Sequence, residues 1–139
     1  MPNDAPVIGG SNKMVWAGRI ISALPVLMMV ASGLATLVDP APMLPTFVAL
    51  GYPAHLVPVI AGVEIICAVL YAIPQTAVLG AILLTGYLGG ATASHVRVGQ
   101  SLFILPVAVG VLVWLGLYWR DARLRSLVPW RKVVVGSWP

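Results

Sequence analysis

Four stretches of this chain are apolar over about the 20 residues that an α-helix needs to cross a hydrocarbon layer. No other feature constrains the fold as strongly. They run over residues 15–38, 55–73, 76–94 and 102–119. Inside a bilayer every backbone N–H and C=O has to be satisfied by the protein itself, so spanning segments are helices or strands of closed barrels. Continuous runs of this length suit helices. The expected fold class is therefore all-α, an integral membrane four-helix bundle. Only 9% of the residues are charged and 60% are apolar, whereas a soluble domain carries about 25% charged residues. The 139 residues make one domain. It divides into a polar N-terminal tail over 1–14, a transmembrane domain over 15–119 and a basic tail over 120–139.

Lys13 and Arg19 precede the first apolar run in the manner of a signal peptide, but the run continues to Val38 and is long enough to be retained as a span. Pro74-Gln75 is a tight link that makes a helical hairpin of the second and third spans. The longest link, 39–54, contains Pro40, Pro42, Pro45 and Pro53, yet Met43, Leu44, Phe47, Val48 and Leu50 keep it apolar. It reads as a short helix or re-entrant segment lying on the bundle. Pro25 lies deeper in its span than Pro58 or Pro106, where a kink would widen the space beside the second span.

The net charge of +4 does not point to nucleic acid, because Lys and Arg gather at the two ends of the chain. Lys13 and Arg19 flank the first span, and Arg120, Arg123, Arg125, Arg131 and Lys132 follow the last. By the positive-inside rule both termini are expected in the cytoplasm, with Trp16, Trp119 and Trp130 at the inner interface. A multi-pass protein of a bacterial-type plasma membrane is the expected setting. The single cysteine, Cys67, allows no internal disulfide and no CxxC pair, and it reads as a packed thiol.

Glu64 is the only charge within the second span. A carboxylate at mid-depth costs roughly 2.5–3.5 kcal/mol on insertion scales, so it faces a partner or a wet cavity. It lies nine residues beyond His55, about 13 Å deeper at 1.5 Å per residue. Asp39, His55, His95 and Arg97 cluster at the same side of the membrane in the expected topology, which suggests a vestibule narrowing toward Glu64. Helical spacing supports a polar inner face. Arg19, Ser22, Pro25, Met29, Ser32, Thr36 and Asp39 form one stripe of the first span, and Thr85, Leu88, Thr92 and His95 one of the third. Ala61, Glu64, Cys67, Ala68 and Tyr71 share a face of the second. The bland alternative is that Ser and Thr bond backbone carbonyls, while Gly86 and Gly90 let helices approach closely.

The string TGYLGGATASHVRVGQ, from Thr85 to Gln100, together with LGYPAHLVPVIAGVEIICAVLYAIPQTAVLGAILL, resembles the DoxX-like family of small four-helix membrane proteins. The resemblance rests on the Gly51-Tyr52-Pro53 turn, the Gly62-x-Glu64 pair, His95-x-Arg97 and WLGLYWRDARLRSLVP, and covers most of 15–130. It implies a membrane bundle whose relatives serve quinone-linked sulfur oxidation and membrane redox complexes in oxidative stress. Many relatives place a Lys after the Ser-Gly pair of the first helix; here Ser32-Gly33 is followed by Leu34, Ala35, Thr36 and Leu37.

Three functions fit these residues. The first is an intramembrane pocket that binds a quinone or another lipophilic small molecule, as a subunit of a membrane redox system. Glu64 and His95 would then exchange protons with the ligand. Arg97 would bind it at the mouth, with Thr92, Thr85, Ser32 and Asp39 lining its path. The chain carries no evident motif for flavin, haem or a metal, and His55 and His95 lack the close spacing of metal ligands. A redox role would therefore draw on a diffusible quinone and a partner protein. The second is an enzyme using Glu64 and His95 as acid and base for isomerisation, cyclisation or epoxide opening of a lipophile. The third is a structural or assembly subunit in which Glu64 bonds across helices or pairs with His95 or Arg97 to fix register; the expected protein partners are a membrane or redox protein or further copies of the chain in a homo-oligomer.

Overall fold

A computed structural model describes residues 12–127. The polar leader before Asn12 and the tail beyond Leu127, with Trp130, Arg131 and Lys132, lie outside the described residues. The helices are α1 (Asn12–Val38), α2 (Leu44–Ala49), α3 (Val57–Ala72), α4 (Ala77–Arg97), α5 (Ile104–Arg120) and α6 (Ala122–Leu127). Short 3₁₀ turns, Ala54–Leu56 and Ser101–Phe103, lead into α3 and α5. α1, α3, α4 and α5, the last two odd-numbered ones with their lead-in turns, are long and apolar enough to cross a membrane. The chain is thus an all-α, multi-pass membrane protein.

Local sequence explains the boundaries. Pro45 and Pro58 stand in the first turns of α2 and α3, where a missing N–H costs no helical bond. α1 continues through Pro25, whose ring is fully buried against the bundle. α2 and α4 end alike. Gly51 and Gly99 take φ of 81° and 71°, a left-handed conformation that glycine adopts without strain. The next residue then reaches back over the helix end, Tyr52 N–H to the Phe47 carbonyl at 2.9 Å and Gln100 N–H to the His95 carbonyl at 3.0 Å.

α1 packs on α3 and α5, and α4 packs on the same two, so the four long helices form a ring in the order α1, α3, α4, α5. Successive long helices run antiparallel, which brings the start of α1 to the end of α5. Large aliphatic side chains such as Leu27, Ile66, Ile82 and Val111 point outward, toward the lipid.

The end of the ring that holds the start of α1 and the end of α5 is closed by glycines. A Cβ on Gly18 would come within 2.6 Å of the Arg120 backbone nitrogen. One on Gly116 would come within 2.5 Å of Ser22 Oγ, and one on Gly80 would strike the Tyr71 backbone. Bilayer helices have little hydrophobic drive to associate, so small residues that let backbones touch supply much of the packing. Tyr71 then ties three helices together. Its fully buried hydroxyl is hydrogen-bonded with Ser22 Oγ on α1 at 2.9 Å and with the Val113 carbonyl on α5 at 2.7 Å. Arg120 donates to the Tyr71 carbonyl at 2.7 Å and lies over its ring. Arg120 therefore fastens α5 to α3 in addition to carrying charge. Cys67 is buried as a free thiol in the same core.

Candidate functional site

The other end of the ring is hollow. Between the second half of α1, the first half of α3, the second half of α4 and the start of α5 lies a cavity of about 530 Å³. Gly86 and Gly90 face it. Nothing lies within 4 Å of where their Cβ atoms would stand, so these two glycines leave space instead of bringing helices together. The sequence suggested close contact for them; that role falls to Gly18, Gly80 and Gly116, where backbone meets backbone.

α2 covers the cavity. Met43, Thr46, Phe47, Leu50 and Tyr52 line it from this segment. Two polar contacts tie the segment to the last turns of α4. The Arg97 guanidinium donates to the Leu50 carbonyl. The Tyr52 hydroxyl is 2.7 Å from Ser94 Oγ, which in turn donates to the Gly90 carbonyl at 2.9 Å. The Ser94 proton is thus engaged, so Tyr52 is the donor of the pair.

Glu64 lies half-buried in the cavity wall. Tyr87 on α4 donates its hydroxyl to Glu64 Oε2 at 3.0 Å. Ser32 on α1 is the other hydroxyl neighbour of the carboxyl group. Both of them line the cavity with Glu64. Neither His95 nor Arg97 is its partner, because both are engaged elsewhere.

His95 lines the cavity near its mouth, with Nδ1 2.9 Å from Gln100 Oε1. An amide oxygen only accepts, so Nδ1 carries a proton in this pairing, and Nε2 is the ring nitrogen left outside it. Thr36 also lines the cavity and bonds its own helix at the Ser32 carbonyl, 2.9 Å away.

The remaining residues named from the sequence are not gathered here. Thr85 and Thr92 donate to the Ala81 and Leu88 carbonyls at 2.8 and 2.7 Å and face a separate apolar groove between α4 and α5. Trp114 donates to Thr85 Oγ1 across that groove at 2.8 Å. Asp39 turns the chain after α1 by accepting the Ala41 N–H at 3.1 Å. Arg97 serves the α2 segment, and His55 is exposed on the 3₁₀ turn before α3. Arg19 is exposed and stacks on Trp16 at 5.6 Å.

Sequence reasoning missed Tyr87, Tyr52 and Ser94. A signal for Tyr87 was present: Tyr87, Ala91 and His95 are spaced i, i+4, i+8 and all line the cavity. The stripe Thr85, Leu88, Thr92 and His95 has similar spacing, but its two threonines are rotated toward α5.

A small membrane bundle, closed by glycines at one end and hollow around a carboxyl group at the other, is what the fold defines. Residues 20–116, well over half of the chain, match the model of the DoxX-like family. The chain belongs to that family. No curated protein and no solved structure matches it.

Proposed function

We propose that this protein binds a lipophilic small molecule in the cavity at the open end of the bundle, with the Glu64–Tyr87 pair as its polar anchor. The observation that carries this reading is a largely apolar cavity of about 530 Å³ with one hydrogen-bonded carboxyl group in its wall. That volume lies within the roughly 300–1,000 Å³ of small-molecule sites, which combine an apolar lining with few polar groups. A carboxyl group that served register alone would be enclosed between helices; Glu64 borders open space. With Tyr87 donating to Glu64, the carboxyl group has room to accept from a ligand hydroxyl, and in its protonated form would donate to a carbonyl, a quinone's included. Redox chemistry on a quinone would require a partner protein as electron donor. The cationic end of the bundle, with Arg19, Arg120, Arg123 and Arg125, fits the cytoplasmic side, so the cavity would open toward the outer leaflet.

The test is to purify the protein in nanodiscs, extract bound small molecules and identify them by mass spectrometry. Wild type is expected to retain an apolar compound, and Glu64→Leu to retain about tenfold less at equal or higher thermal stability. A factor of ten corresponds to loss of one good hydrogen bond. Loss of stability in Glu64→Leu with no compound on wild type would favour the register role. The Tyr87–Glu64 hydrogen bond also supports acid/base catalysis as a second reading. Glu64→Gln keeps the acceptor but holds no exchangeable acid proton, so it would bind the compound and fail to convert it.

A further inference from the structure

The cavity has two polar poles. One is the Glu64–Tyr87 pair at depth; the other is His95 at the mouth. Tyr87 and His95 stand two helical turns apart on one face of α4. Eight residues at 1.5 Å each separate them by about 12 Å. Both side chains lean the same way along the helix, so the separation of their tips follows that of their backbones.

The wall between the poles offers no open polar group on α4. Gly90 and Ala91 lie there, and Ser94 is occupied by Tyr52 and by the Gly90 carbonyl. Across from them, Met28, Met29 and Val63 present apolar surface; of the hydroxyls in the lining, Ser32 belongs to the Glu64 pole, Thr36 bonds its own helix, and Thr46 stands on the α2 cover. At the mouth, Gln100 fixes the His95 ring through Nδ1. That bond orients the ring and leaves Nε2 as its second hydrogen-bonding atom.

We propose that the ligand is an elongated lipophile with a hydrogen-bonding group at each end, an oxygen function held by Glu64 and Tyr87 and a hydroxyl hydrogen-bonded to His95 Nε2. This rests on the reading that the cavity binds a lipophile, and it narrows the class. The two oxygens of a single quinone ring are less than half as far apart as the poles. A quinone with a hydrocarbon tail would satisfy one pole and leave the other against apolar chain. A molecule such as a chain alcohol oxygenated at its far end satisfies both. His95 is then the residue that selects for the second polar group.

The experiment measures dissociation constants by native mass spectrometry of the purified protein. The probes are α,ω-alkanediols of graded length, mono-alcohols of equal carbon number, and a decyl-substituted quinone. Mono-alcohols are the more lipophilic, so partition alone favours them. Wild type is expected to bind one length of diol best, that whose oxygens stand about 12 Å apart. It should bind this diol about tenfold tighter than the matching mono-alcohol, the effect of one good hydrogen bond. His95→Ala should erase the preference, and His95→Gln should restore part of it. Equal affinities for diol and mono-alcohol, or tightest binding by the quinone, would overturn the two-pole ligand. The lipophile site itself would stand in that case if Glu64→Leu weakened every probe. No saturable binding of any probe to wild type would overturn both.

Discussion

The two ends of this bundle are built from the same few residue types and behave oppositely. At the closed end, glycine meets backbone: Gly80 against Tyr71, Gly18 against Arg120, Gly116 against Ser22. At the open end, Gly86 and Gly90 meet nothing. Tyrosine divides the same way. Tyr71 is enclosed and saturated by partners on two other helices, whereas Tyr87 is half-buried and offers its one strong bond to a carboxyl group that borders a cavity. The difference teaches that a small or polar residue in a membrane helix has no fixed meaning. Whether another backbone stands opposite decides whether it fastens helices or lines a space.

The strongest way to break this contrast is to make one substitution at both ends. Gly80→Leu should cost more than about 3 kcal/mol, since backbone cannot yield as a side chain can, and little folded protein is expected on size-exclusion chromatography. Gly90→Leu should change thermal stability by less than about 0.5 kcal/mol and displace the bound compound, because its side chain grows into the cavity. Equal destabilisation at the two sites would remove the distinction.

Removing a hydroxyl sharpens it further. Tyr71→Phe should cost near the upper end of interhelical hydrogen bonds in membranes, about 1.7 kcal/mol, and Tyr87→Phe about the average of 0.6 or less. Unfolding in graded denaturing detergent would rank the two. A larger loss for Tyr87→Phe would mean that the Glu64–Tyr87 bond holds the bundle together and is not held ready for a ligand.

The smallest global effect is expected from the ties of α2. Tyr52→Phe and Arg97→Gln each remove one contact of a segment that is otherwise loosely held, so the melting temperature should barely move. Hydrogen exchange over residues 44–52 should instead rise about fivefold, as local opening becomes easier. Unchanged exchange there, or a rise spread over all helices, would count against α2 as a separately anchored cover.

Much of the fold is legible in the sequence. The four long apolar runs, the Pro74-Gln75 hairpin and the apolar link that becomes α2 each carry a local signal in length, proline spacing or composition. The candidate site was legible at Glu64, Ser32 and His95, and at Met29, Thr36, Ala61 and Leu88 of the same stripes, which the cavity brings to one wall system. Thr85 and Thr92 were read onto the same face because a period of three and four tolerates a rotation of the stripe. Their hydroxyls bond carbonyls one turn back and turn toward α5. Arg97 was read as a ligand contact from its place at a helix end; its guanidinium caps the α2 segment. Nothing local marks Leu50, 47 residues away, as its acceptor.

The sequence by itself determined that this is a four-span helical membrane protein with one carboxyl group in the wrong solvent. Those facts follow from hydrocarbon thickness and from backbone hydrogen bonding, which act on each segment separately. Only the tertiary structure decided which glycines touch and which leave a hollow, and that Glu64 meets Tyr87 instead of a cation. Those outcomes depend on the rotation and depth of one helix against another. A shift of a fraction of a turn exchanges a buried contact for a cavity wall while leaving every local propensity unchanged.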